Sequence, residues 1–162
     1  MLRSAEIELL ADVRRYPGSR RHPHFGRDAL AAGLSRVGVT YEWWGESLGG
    51  RRTMDDAAAN RHVSWRNDAF RAYAGYMETP VFRDALEALI KRAREARVAV
   101  MCAETLWWRC HRRLIADALV AAGHEVIHLG LGKDQAHRLS EACRIDENGL
   151  LVYDGAAGHP PA

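Results

Sequence analysis

Short apolar runs alternate with stretches of helical period along this chain, and that alternation admits few architectures. Residues 7–13 (IELLADV), 39–44 (VTYEWW), 97–102 (RVAVMC) and 125–129 (EVIHL) are rich in β-branched, aliphatic and aromatic residues and read as strands. Between them, 27–36, 65–77, 80–96 and 108–122 carry apolar residues at steps of three and four. Thr79 reads as an N-cap with Pro80 at the first helical position, and Gly123 as a C-terminal stop. Residues 136–142 read as a helical turn or two, and 150–153 as a late strand after the Asn148-Gly149 turn. The expectation is an α/β fold: one domain over 1–154 with a flexible tail at 155–162. Its sheet would be mostly parallel, of about four to five strands flanked by helices, in a Rossmann-like three-layer arrangement.

With 162 residues the chain is large enough for a real core, and 48% hydrophobic against 27% charged residues argues against disorder. A formal net charge of +2 excludes a polybasic coat but not a local basic patch. Arginine outnumbers lysine 21 to 2. Coding bias accounts for such a ratio; so does recognition of phosphate or carboxylate, which arginine grips in bidentate fashion. Residues 1–10 contain Glu6 and Glu8 and no signal-like apolar stretch, and no run approaches the ~20 apolar residues of a membrane span. A cytoplasmic protein with reduced thiols and no membrane partner is expected.

The segment most open to chemistry is 98–113, where a strand ends at Cys102 and a helix follows. In open α/β sheets ligands sit beyond the carboxyl ends of strands, and helix N-termini there favour anions. Cys102 reads in three ways: a nucleophile favoured by Arg109 or Arg112, the wall of a polar pocket, or core packing. Glu104 would act as acid or base, or orient an arginine. Cys110 falls on the apolar side of its helix and reads mainly as packing, with His111 beside it. Cys102, Glu104, Cys110 and His111 lack C-x2–4-C spacing, and neighbours on one helix point about 100° apart, so no metal site is expected. Six residues separate Cys102 from Arg109, which is not the spacing of a phosphatase-type loop.

A second cluster follows the first strand. From Val13 to Arg27 there are five arginines and no acid. Arg14 and Arg15 would share a sheet edge with Cys102 if the strands run parallel. The cluster reads as a phosphate or nucleic-acid contact, or as a solvated basic loop. Asp12 would hold Arg14 or Arg112 by a bidentate pair. His128, at the end of a strand, is a candidate by position.

Asp12-Val13-Arg14-Arg15 with Pro17, Ser19 and Phe25, then Leu48-Gly49-Gly50, then Cys102-Ala103-Glu104 and Cys110-His111-Arg112, resemble a bacterial and archaeal family, domain of unknown function 488. The likeness spans about Leu9 to His137 and implies a small α/β domain but no reaction. Similar proteins begin with an extra strand and a Gly-His-Ser turn ahead of Asp-Val-Arg, whereas Met1 lies only a few residues before it here. A sheet edge bared in this way would favour pairing with another chain, hence a homodimer.

The leading expectation is an anion pocket at the strand carboxyl ends. Arg14, Arg15, Ser19, Arg109 and Arg112 would bind a phosphorylated metabolite or nucleotide, and Cys102 and Glu104 would carry any catalysis. Asp12, Cys110, His111 and His128 would support them, with no cofactor. Two alternatives stand beside it: a nucleic-acid-binding module using the 13–27 loop with Arg51, Arg52 and tryptophans, and a non-catalytic interaction domain.

Overall fold

A computed structural model of the chain describes residues 1–18, 21–130 and 132–155, so Ser19 and the stretch beyond Gly155 fall outside the described residues. Strands β1 (Leu9–Asp12), β2 (Thr40–Trp43) and β3 (Val98–Met101) form a parallel sheet in the order β2-β1-β3. The register sets Asp12 level with Trp43 and with Met101, so three strand ends share one edge.

β1 is buried at every position because both faces of the sheet are covered. Leu10, with Ile7, packs on Leu34 of α1 (Arg27–Ser35) and on Val39. Leu9, Ala11 and Val13 point the other way. They meet Tyr73 of α3 (Asp68–Met77), Leu89 of α4 (Pro80–Glu95) and Leu114 of α5 (Arg112–Ala121). A short helix, α2 (Asp56–Arg61), precedes α3. The Thr79 oxygen accepts the Phe82 N–H at 3.3 Å, as expected of an N-cap. Helix α3 starts later than its spacing suggests. The Asn67 oxygen takes the Ala69 N–H at 2.9 Å, leaving Trp65 outside the helix against Phe70 and Tyr153.

The C-terminal third departs from expectation. Among the described residues the parallel sheet has three strands, not four to five. The 125–129 run contributes only β4 (Ile127–His128), antiparallel to β5 (Gln135–Ala136). Residues 136–142 are not helical: the buried Asp117 carboxylate takes His137 Nε2 at 2.9 Å and both the N–H and the hydroxyl of Ser140 at 2.8 Å, which holds the segment open. The late strand forms, as β7 (Leu151–Tyr153) paired antiparallel with β6 (Cys143–Ile145).

The carboxyl edge is anchored by a buried ion pair. Asp12 is 0% exposed and Arg14 8%. Arg14 Nε and Nη2 reach the two Asp12 oxygens at 2.8 and 2.5 Å, Nη1 donates to the Phe25 carbonyl at 2.8 Å, and the Tyr41 hydroxyl donates to Asp12 at 2.6 Å. Removing one partner strands a buried charge. Arg14→Ala should therefore cost about 3–5 kcal/mol in urea unfolding. Arg97→Ala, which breaks the solvent-exposed pair with Glu6, should stay within about 0.5 kcal/mol.

Candidate functional site

Because β1 and β3 run parallel, the residues after each emerge at the same edge, joined by the Val13 N–H to the Met101 carbonyl at 2.9 Å. Asp12 to Arg15 and Cys102 to Glu104 are thus brought together, as the sequence suggests. The chain after β3 makes a 3-10 turn at Trp107–Arg109, and Cys110 is extended (φ −128°, ψ 150°) before α5 begins at Arg112. The helix expected from residue 108 is broken there, and so is the premise that Cys110 and His111 diverge on one helix. Instead the sulfurs of Cys102 and Cys110 and a ring nitrogen of His111 all lie within 4.8 Å of one another. His111 Nδ1 is 3.9 Å from Cys102 Sγ and 3.5 Å from Cys110 Sγ. Its Nε2 is 3.3 Å from the Val13 carbonyl.

Close approach of backbone explains the Leu48-Gly49-Gly50 stretch. A Cβ on Gly49 would lie 2.1 Å from the Gly45 carbonyl oxygen, and one on Gly50 would lie 2.9 Å from His111 Nδ1. On the far side, the buried Tyr73 ring sits 5.0 Å from the His111 ring, and its hydroxyl donates to the Leu48 carbonyl at 2.7 Å. His111 is thus held between a tyrosine ring and a glycine backbone.

The two thiols differ in character. Cys102 is half-buried and held well below its ordinary range, chiefly by a hydrogen bond from Cys110, against the desolvation that raises it. Cys110 is buried and pushed up, because its proton is retained in that bond and its charge would be desolvated. The Glu104 side chain is exposed, and its carbonyl accepts from Arg112 Nη2. Arg109 is exposed on the 3-10 turn, while Arg112 is half-buried with a buried Nε that has no partner among the described residues.

The arginines near this edge differ in their partners. Arg14 is held in place by Asp12 and the Phe25 carbonyl, which take its Nε and one hydrogen on each terminal nitrogen, the bidentate pair that the sequence offered as one option for Asp12. Arg15 is different: its Nη1 donates to the Glu46 carbonyl at 2.8 Å, and Arg52 Nη2 donates to that same carbonyl at 2.6 Å. Arg52 lies 3.6 Å from the centre of the Tyr76 ring and also donates to the Gly49 carbonyl at 2.8 Å. Burial, and next the neighbouring Arg15, lower its pKa. Among the described residues neither guanidinium has a carboxylate within 4.0 Å. They line a cleft of about 310 Å³ with Arg51, Thr53, Asp55 and Tyr76.

His128 belongs to a chain of polar groups that sequence reading misses. Its Nε2 is 2.9 Å from His137 Nδ1, His137 Nε2 is 2.9 Å from Asp117, and the Tyr153 hydroxyl donates to Asp117 at 3.0 Å. Trp107 stacks on His128 at 3.7 Å. One signal for Asp117 was available: an acid at the centre of the apolar helical run LIADAL needs buried partners.

The family described as Domain of unknown function DUF488 matches residues 1–119, and the chain belongs to it. No curated protein and no solved structure matches the chain. Among the described residues no helix is long and apolar enough to cross a membrane.

His128 is lowered from the ordinary 6.5 to about 4 by burial, then by His137 and Arg112. Between those values the unfolded chain holds a proton at this site that the folded chain does not, so stability rises with pH across that window. The urea midpoint should fall as pH drops from 6.5 towards 4, and His128→Gln should flatten that slope.

Proposed function

We propose that the protein binds a small anion, a phosphorylated metabolite or a nucleotide, at the carboxyl edge of its sheet, and that the cluster containing Cys102 acts on it. The observation that carries this reading is the Arg15–Arg52 pair. Two guanidiniums share one carbonyl beside the cleft, without a carboxylate partner among the described residues, and a ligand anion would relieve their repulsion. The cleft and the sulfur cluster are joined through one segment, because Gly50 backs onto His111 and Arg51 and Arg52 follow it. Cys102 is the half-exposed sulfur, hence the one a ligand meets, and the exposed Glu104 two residues on would exchange protons with it. Arg109 and Arg112 add positive charge on the other flank. A ligand beyond the strand carboxyl ends is also what a Rossmann-like relationship would imply, and reduced thiols suit a cytoplasmic setting.

Titration calorimetry with inorganic pyrophosphate and with a nucleoside triphosphate tests this. Binding should survive physiological salt, and Arg52→Gln should weaken it about 10- to 100-fold, the equivalent of roughly 1.5–3 kcal/mol for a charge-assisted bond. Failure of both anions to bind, with oligonucleotide affinity that falls steeply with salt, would replace the reading by a nucleic-acid-binding module. A protein that binds neither would be an interaction domain.

A further inference from the structure

The Cys102, Cys110 and His111 cluster has a geometry that a free thiol does not need. Its three donor atoms come from two different segments, the end of β3 and the extended turn before α5, and close to within 4.8 Å of each other. Around a tetrahedral zinc ion, with bonds of about 2.3 Å to sulfur and about 2.0–2.1 Å to nitrogen, donors stand about 3.5–3.8 Å apart. The two nitrogen-to-sulfur distances here are 3.5 and 3.9 Å.

The surroundings favour a metal independently of those distances. A carbonyl oxygen only accepts, so the 3.3 Å contact with Val13 places the His111 proton on Nε2. In the neutral ring Nδ1 is then a lone pair facing both sulfurs. This is the outer-shell arrangement that fixes tautomer and ring orientation in metal-binding histidines. One sulfur also meets a backbone donor: the Arg112 N–H lies 3.5 Å from Cys110 Sγ. Such a donor stabilises thiolate charge. Tyr73 and Gly50 clamp the ring and limit its rotation.

We infer that Cys102, Cys110 and His111 form a zinc site. Two thiolates and a neutral imidazole are a borderline-soft donor set suited to Zn²⁺. Both sulfurs bind as thiolates, the proton retained by Cys110 passing to solvent, while His111 binds through the Nδ1 lone pair and releases none. Three protein donors leave one tetrahedral position for water or a ligand oxygen, the arrangement of a reactive metal centre. The donor geometry stands without the anion reading. If that reading also holds, the ion supplies the sulfur cluster with its reactive position, and Cys102 acts as a ligand to the metal.

The test uses the full chain, stripped of metal under reducing conditions and titrated with Co²⁺ alone. One equivalent should bring sulfur-to-cobalt absorption in the near ultraviolet and tetrahedral bands in the visible. Zn²⁺ should displace the cobalt and protect Cys102 from iodoacetamide. Cys102→Ser should weaken the charge-transfer band, and His111→Gln should shift the visible bands, with circular dichroism reporting the fold. Absence of the charge-transfer band together with Zn²⁺-independent alkylation of Cys102 in the unsubstituted chain would overturn the site. So would spectra unchanged in both variants, which would put the ion elsewhere. Pyrophosphate affinity through Arg52 is read on the metal-free chain, so failure of one proposal leaves the other standing.

Discussion

Val13 is pinned from two directions, and the carboxyl edge depends on it. Its N–H donates to Met101 of β3, which locks the parallel pairing just past β1. Its carbonyl faces His111 from the segment that opens α5. One residue therefore joins the two sheet strands that end at the site to the side chain that gathers both thiols. Val13 is fully buried, so these bonds are shielded from competition by water.

Charge at this edge is sorted by burial. Arg14, nearly buried, is matched by Asp12, because an unpaired guanidinium there would be costly. Arg15 and Arg52 lie further out, donate to a shared carbonyl, and have no carboxylate within 4.0 Å among the described residues. The five-arginine run is thus not one functional unit. Its adjacent members Arg14 and Arg15 divide between holding the fold and facing the cleft. Sequence cannot separate them, since the division depends on which side of the strand end each leaves.

The fold was legible where local signals agreed with tertiary demands. The continuous apolar run before Asp12 became the central strand covered on both faces, and the Thr79-Pro80 start of α4 was as expected. It was illegible where a distant side chain decided. Asp117 claims His137 and Ser140 across at least twenty residues, and no pattern within 136–142 records that demand. The candidate site divides in the same way. Cys102, Cys110 and His111 stood out by type, and their shared edge followed from parallel strands. Their convergence did not, because it requires Cys110 to stay extended and α5 to start at Arg112, about one turn later than the apolar spacing suggests.

The sequence by itself determined the strand–helix alternation, the common edge of Asp12, Arg14 and Cys102, and the family to which the chain is similar, since each rests on periodicity or on contiguous residues. Tertiary structure decided which arginine Asp12 takes, Arg14 and not Arg112, and that Arg15 and Arg52 donate to one carbonyl. It also decided that two cysteines and a histidine meet as one cluster. Both outcomes turn on backbone direction at a few residues after a strand, and that direction is set by burial and hydrogen bonds from segments distant along the chain.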